Sequence, residues 1–245
     1  NSRIDFLNYT INSLLHQTLR IKKIIINFDK TLDKEKIEFL KKKYNSYGVE
    51  FRLVEDYGSH KKYLFLNEEE RSSKVLVCDD DVIYDRWVLE DLLDCLNKNI
   101  DSVATLIGFK MSDNNGNLVS RENWKLMLNC NRKKNLFFFT GNAFTLYPPN
   151  FFYGEILSKN KILKYCKNPS NGIIGSDDSW CNYHRIKKEI TVFYARPYSK
   201  FTWPAFMIDQ KFSLGKISSR AGPWWEGRTF EPLINNLKNT KINTI

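Results

Sequence analysis

Two clusters of carboxylates hold the chemistry this sequence can do. The first is Asp79-Asp80-Asp81, which closes the uncharged run Val75-Leu76-Val77-Cys78. Unpaired charge is very costly in an apolar interior. The acids are therefore expected just past the carboxyl end of a buried strand, where open α/β sheets place their ligands. On extended backbone Asp79 and Asp81 share a side and Asp80 does not. Two oxygen donors on one side suit a hard divalent ion, Mn²⁺ or Mg²⁺, which keeps some of its waters and also binds substrate phosphates. The same run also fits a solvated acidic loop or a helix N-cap cluster. The second cluster is Gly175-Ser176-Asp177-Asp178-Ser179-Trp180. Ser176 or Asp177 can cap the helix that follows, with the next acid in its first turn. Alternatively one carboxylate faces a cleft as a general base, its pKa raised by burial or by its like-charged neighbour.

The elements that must position these acids are legible from hydrophobic spacing. Ile4, Leu7, Ile11, Leu14 and Leu15 predict an amphipathic helix over 3–17. A β-branched run predicts a strand over 23–28, and Ile37, Leu40 and Tyr44 predict a helix over 33–44 that stops near Gly48. Alternation at Val49, Phe51 and Leu53 predicts a strand. Residues 60–71 read as helix, 74–78 as the strand that delivers the acids, and 87–96 as a helix with Leu89, Leu92, Leu93 and Leu96 inward. Alternating helix and strand argues for an α/β fold with a mainly parallel sheet flanked by helices. A doubly wound domain normally opens with a strand, and this chain opens with a helix.

After about residue 100 the pattern changes to a smaller mixed β region. A strand is expected over 102–109, a turn at Asp113–Asn117, and a return strand from Leu118. A long aromatic stretch follows over 135–147, broken at Gly141 and ended by Pro148-Pro149. A helix over 177–188 and a strand over 190–195 come next, and residues 236–245 read as a polar tail. With no internal repeat and no clear linker, 1–245 reads as one domain, with halves at 1–100 and 101–235.

Composition bounds the rest. With 42% hydrophobic and 27% charged residues, the chain is ordinary for a globular protein. Aromatic content of 14% points to a ring-rich core or cleft. No apolar run approaches the length of a membrane span, and no signal-peptide pattern is present. The chain starts with Asn, so it is expected to be a piece of something longer. The formal charge of +10 suits an anionic small substrate, nucleic acid or an anionic membrane face, although a solvated lysine surface explains runs such as Lys41-Lys42-Lys43. The five cysteines show no CxxC spacing, which fits a reducing, cytoplasmic compartment better than a zinc site or disulfide framework.

Taken together, the motifs resemble the GT-A type of nucleotide-sugar-dependent glycosyltransferase, in particular bacterial family 2-like enzymes that build surface polysaccharides. Arg3-Ile4-Asp5-Phe6-Leu7 through Ser13-Leu14-Leu15-His16-Gln17-Thr18 looks like the family's first helix. Asp56-Tyr57-Gly58-Ser59-His60-Lys61-Lys62-Tyr63 looks like its glycine-lysine segment. Val77 through Tyr84 looks like its D-x-D signature. Thr140-Gly141-Asn142 through Pro149 is similar to its glycine-rich strand, and Ser176-Asp177-Asp178-Ser179-Trp180 to its acidic pair followed by Trp. The family places a strand before the first helix, with a loop that helps to hold the base, and that strand is not found here.

The resemblance implies a UDP-sugar donor, a glycan or lipid-linked acceptor, no nucleic acid partner, and Mn²⁺ or Mg²⁺ as cofactor. It implies a cytoplasmic enzyme with peripheral contact at the inner membrane face. Asp81 would bind the metal that bridges the phosphates. Asp79 would contact the ribose or a metal-bound water, with Asp80 beside them. Lys61 or Lys62 would add positive charge near the phosphates, and Gly141 would let backbone approach the donor sugar. Asp178, or Asp177 if the helix begins one residue later, would deprotonate the acceptor, giving inversion. His184 would complete the metal shell, as a late histidine does in some GT-A enzymes, against the plainer reading of a structural histidine. Trp203, Trp224 and Trp225 would stack on acceptor sugars or pack as core. His16 reads as a helix-end residue. Two other readings are a non-catalytic basic binding module and a two-metal phosphatase or nuclease, the latter short of ligands with three histidines in the chain.

Overall fold

The computed structural model describes residues 2–32, 34–106, 108–112, 115, 117, 119, 123–127, 137–140, 144–167, 174–175, 177–195 and 205–207. In chain order these form α1 (Ser2–Leu15), β1 (Ile24–Asp29), α2 (Lys34–Tyr44), β2 (Val49–Val54), α3 (Lys61–Leu64), α4 (Glu68–Arg71), β3 (Val75–Val77), β4 (Val82–Tyr84) and α5 (Val88–Asn97). There follow β5 (Val103–Thr105), β6 (Gly108–Lys110), β7 (Lys125–Met127), β8 (Phe137–Phe139), β9 (Thr145–Tyr147), α6 (Lys159–Cys166), α7 (Asp177–Lys187), β10 (Val192–Tyr194) and β11 (Ala205–Met207).

The helices form where apolar residues recur on one face. Ile4, Leu7, Ile11 and Leu14 of α1 are buried, as are Ile37, Leu40 and Tyr44 of α2 and Val88, Leu89, Leu92 and Leu96 of α5. These faces meet in one core with Ile24 and Phe28 of β1, Val82 and Tyr84 of β4, and Leu146 of β9. A second core is largely aromatic. It joins Tyr63, Phe137, Phe139, Tyr147, Phe151, Phe152, Trp180 and Tyr194, and part of the ring-rich composition lies here. Tyr147 alone lies within 4.6–5.7 Å, centroid to centroid, of Phe151, Phe152 and Phe139.

The class is α/β, but the expected mainly parallel sheet is corrected. β1 and β2 pair in parallel, Ile24 with Val49 through Asp29 with Val54. The strand that delivers the acids belongs to a different, mixed sheet of order β10-β5-β9-β3. There β10 runs parallel to β5, while β9 lies antiparallel between β5 and β3. The other pairings, β4 with β11 and β6 with β7 and β8, are antiparallel. The reason is the return of β9. It comes from the second half of the chain and takes the place beside β3 that a parallel neighbour would occupy.

Two expected elements divide. Residues 102–109 split into β5 and β6, which belong to different sheets, and the aromatic stretch splits likewise into β8 and β9. The helix expected over 60–71 breaks at Phe65–Asn67. Asn67 then caps α4, accepting from the Glu70 N–H while Glu70 accepts from the Asn67 N–H.

Candidate active site

The acids leave β3 as expected, beyond its carboxyl end. Asp80 and Asp81 form a turn rather than extended strand, so period-two alternation does not govern them, yet the exposures still alternate. Asp79 is half-buried, Asp80 exposed and Asp81 buried.

The turn is held from behind by α1. Thr10 Oγ1 donates to the Asp80 carbonyl at 2.9 Å. Ser13 Oγ accepts from the Tyr84 N–H at 3.1 Å and itself donates to the Thr10 carbonyl. Tyr84 Oη then accepts from the Asp79 N–H at 2.9 Å, and the ring stacks on Phe144 at 4.0 Å. Gln17 extends this support. Its Nε2 donates to the Asp85 carbonyl and its Oε1 accepts from the Leu89 N–H at 3.0 Å, satisfying one of the open donors in the first turn of α5. Thr10, Ser13 and Gln17 are spaced i, i+3, i+7, so they form a polar stripe beside the apolar one. Thr10 engages the backbone of the acidic turn, and Ser13 and Gln17 the backbone just beyond it at Tyr84, Asp85 and Leu89.

Lys62 brings the two acidic clusters together. Its ammonium pairs with Asp79 Oδ1 and, at 3.1 Å, with Asp177 Oδ2, 115 residues further along the chain. Burial would push the Lys62 pKa down, but Asp177, Asp79 and Asp178 outweigh it and hold the lysine well above its ordinary value. Burial would likewise raise Asp177, and the Lys62 charge overrides it, so this carboxyl lies below its ordinary value. Asp177 is therefore an ionised anchor, and a raised pKa for it is corrected. Asp178 is half-buried in the first turn of α7. Its carbonyl accepts from Asn182, which also donates to Phe139 O and so ties α7 to β8.

The neighbouring lysine goes elsewhere. Lys61 Nζ donates to Asp56 Oδ1 at 2.5 Å and lies 3.9 Å from Asp29 Oδ2, at the carboxyl ends of the β1–β2 pair. His184 sits on Asp177's side of α7 but two turns on, about 10 Å of helix rise. It packs edge-on against Trp180 and Tyr183. Burial lowers its pKa to about 3, and the charges acting on it are those of Lys188, Lys187, Glu155 and Lys161. None of these belongs to the aspartate run, so the geometry is that of a structural histidine. His16 is exposed just past the end of α1, its Nδ1 2.7 Å from the Asn12 carbonyl. Gly141, Ser176, Trp203, Trp224 and Trp225 lie outside the described residues.

Two further residues of the glycine-lysine segment build the site, though neither had a role of its own legible in the sequence. Gly58 has φ +56°, and a Cβ there would meet the Ile174 carbonyl oxygen at 1.6 Å, so only glycine permits this approach. His60 is fully buried, with Nδ1 2.6 Å from Tyr63 Oη and Nε2 2.8 Å from the Gly175 carbonyl.

Among the described residues, no group of three or more His, Cys, Asp or Glu side chains gathers as an all-protein metal cage. The donor set still fits a hard dication that draws most of its ligands from water and phosphate. Among the described residues, the Lys62 ammonium pairs with both Asp79 and Asp177, two carboxylates to one cation. The four described cysteines are free thiols, and burial raises Cys78, next to Asp79, to about 12. No helix among the described residues is long and apolar enough to cross a membrane. No protein-family model matches the chain, and no curated protein matches it.

Proposed function

We propose that the chain is a metal-dependent, inverting glycosyltransferase of the GT-A type. It would move a sugar from a nucleotide diphosphate sugar, UDP-linked for preference, to a hydroxyl of a glycan or lipid-linked acceptor at the cytoplasmic face of a membrane. The observation that carries this reading is the Lys62 bridge. A D-x-D turn past the end of a strand and an acidic pair opening a distant helix are joined through one half-buried ammonium. A sugar-transfer site needs both halves, one to receive a diphosphate with its counter-ion and one to activate a hydroxyl.

Asp81 and Asp79 would hold Mn²⁺ or Mg²⁺, with exposed Asp80 on the nucleotide side. When bound, the ion supplies Lewis-acid charge to the departing diphosphate. Lys62 holds Asp79 and Asp177 in register and adds positive charge beside the phosphates. Asp177, ionised and paired, anchors the first turn of α7. Asp178 takes the proton of the acceptor hydroxyl. That oxygen attacks the anomeric carbon, and the bond from that carbon to the diphosphate oxygen breaks with its electron pair leaving on the nucleotide.

Thermal unfolding against a panel of nucleotide sugars, with Mn²⁺ or with excess chelator, tests the reading. At a donor concentration near 100 Kd, binding stabilises by about 2.7 kcal/mol, so the true donor stands out by several degrees, and only with metal present. Full turnover in chelator overturns the metal role. No shift with any nucleotide sugar overturns the reading itself and favours a basic binding module.

A further inference from the structure

We infer that His60 is a positioning residue that holds Lys62 between the two acidic clusters. The inference rests on the transferase reading for its kinetic consequence and on geometry alone for the placement of Lys62.

The Gly175 carbonyl can only accept, so His60 Nε2 carries the proton and donates to it. Nδ1 is then the acceptor and Tyr63 Oη the donor. Burial lowers the pKa of His60, consistent with this neutral tautomer. Both ring nitrogens are satisfied inside the protein, and each bond reaches a different wall of the site. Through Tyr63, whose ring stacks on Phe152 at 4.7 Å, the imidazole is fixed to the aromatic core. Through Gly175 it is fixed to the backbone two residues before Asp177. The close approach of Gly58 to Ile174 lies on the same seam.

Lys62 is two residues from His60, and Asp177 is two residues from Gly175. The His60–Gly175 bond therefore sets the register in which the ammonium of Lys62 meets Asp177. Asp79 arrives independently, from the turn held by Thr10 and Tyr84. Without the imidazole, the segment carrying Lys62 keeps its own short helix and is tied to the start of α7 only by the Gly58–Ile174 approach and the Lys62–Asp177 pair.

The test reads Lys62 directly. The full chain is treated with an amine-acetylating reagent at neutral pH, and the labelling rate of each lysine is followed by mass spectrometry. In the wild type, Lys62 labels more slowly than the α2 lysines Lys42 and Lys43. In His60→Phe, which removes both polar contacts and leaves the Gly175 carbonyl without its donor, Lys62 labelling rises about tenfold. Lys23, held in a separate ion-pair network, keeps its wild-type rate. In His60→Gln, whose amide N–H retains a donor for Gly175, Lys62 stays within about twofold of wild type.

Tyr63→Phe keeps the ring on Phe152 and deletes only the hydroxyl donor. It is expected to raise Lys62 labelling about threefold, and it decides the matter if His60→Phe does not fold. An unchanged Lys62 rate in folded His60→Phe and Tyr63→Phe overturns the inference. So does a rise shared by Lys23, which would mark general loosening. In a transfer assay, His60→Phe raises KM for the donor more than it lowers kcat, and His60→Gln restores it. If neither wild type nor variants turn over any nucleotide sugar, the transferase reading fails while the labelling result still stands.

Discussion

The molecule contains two cation–carboxylate knots built on opposite logic. At Arg52, the guanidinium donates to Glu50 at 2.6 Å, to both oxygens of Glu70 at 2.5 and 3.0 Å, and to the Phe65 carbonyl at 3.1 Å. Lys23 pairs with the same two glutamates at 2.6 and 2.8 Å. Two cations meet two anions, the partners lie within the first part of the chain, at most 47 residues apart, and Glu70 also closes the cap of α4. At Lys62, one cation pairs with Asp79 and with Asp177, the latter 115 residues further along the chain, and feels the charge of Asp178. The balanced knot fixes β2 to the segment beside it. The Lys62 knot joins distant segments, and under the proposed function it is the side on which a bound cation would sit. Charge balance, more than the presence of ion pairs, separates a structural network from a candidate site.

That contrast breaks most sharply under single substitutions. Asp81→Asn is expected to lower transfer from the donor by about 1,000-fold, since it weakens the group assigned to the leaving diphosphate's counter-ion. Steady-state assays at saturating Mn²⁺ check this, and Asp79→Asn should follow the same direction. Arg52→Met should do the reverse. It leaves Glu50, Glu70 and the Phe65 carbonyl short of a donor, costing about 3 kcal/mol in urea unfolding, with activity per folded molecule unchanged.

Lys62→Met falls between these. It should lower kcat/KM by about 100-fold and cost about 1–2 kcal/mol of stability without metal. Part of that stability should return on adding millimolar Mn²⁺, because a bound dication replaces the missing charge. Arg52→Met should gain nothing from Mn²⁺, and a gain there would erase the distinction between the two knots.

The smallest expected effect is in acid. The hydrogen bonds from Arg52, opposed by partial burial, hold Glu70 down to about 2, against an ordinary value of 4.5. Between those values the unfolded chain binds the proton and the folded chain does not. The contribution is therefore complete above pH 4.5 and is lost as pH falls toward 2, by about 1–2 kcal/mol after allowance for solvent screening. Urea midpoints across that range should decline in wild type and flatten in Glu70→Gln.

The local half of this protein was legible before any fold was known. The apolar stripes of α1, α2 and α5 were readable because a helix buries every third or fourth residue, and the acids after β3 because a buried strand cannot hold them. Three things were not legible, and each depends on segments that meet only in the folded chain. Lys61 and Lys62 are adjacent and chemically identical, yet one faces Asp56 and the other joins Asp79 to Asp177. His60 sits in the glycine-lysine segment, but its role was not legible, because its partner carbonyl is 115 residues away. The sheet was expected to be parallel because helix and strand alternate early in the chain, and β9 then entered antiparallel from the later half.

The sequence by itself determined the α/β class, the helix faces and the presence of two carboxylate clusters, because burial and charge act residue by residue along the chain. Only the tertiary structure decided which lysine bridges them, that Asp177 is the anchor beside Asp178, and that His184 packs among aromatic rings. Those choices depend on register between distant segments. Here that register is set by the Gly58–Ile174 approach, the His60–Gly175 bond and the α1 hydrogen bonds to the acidic turn.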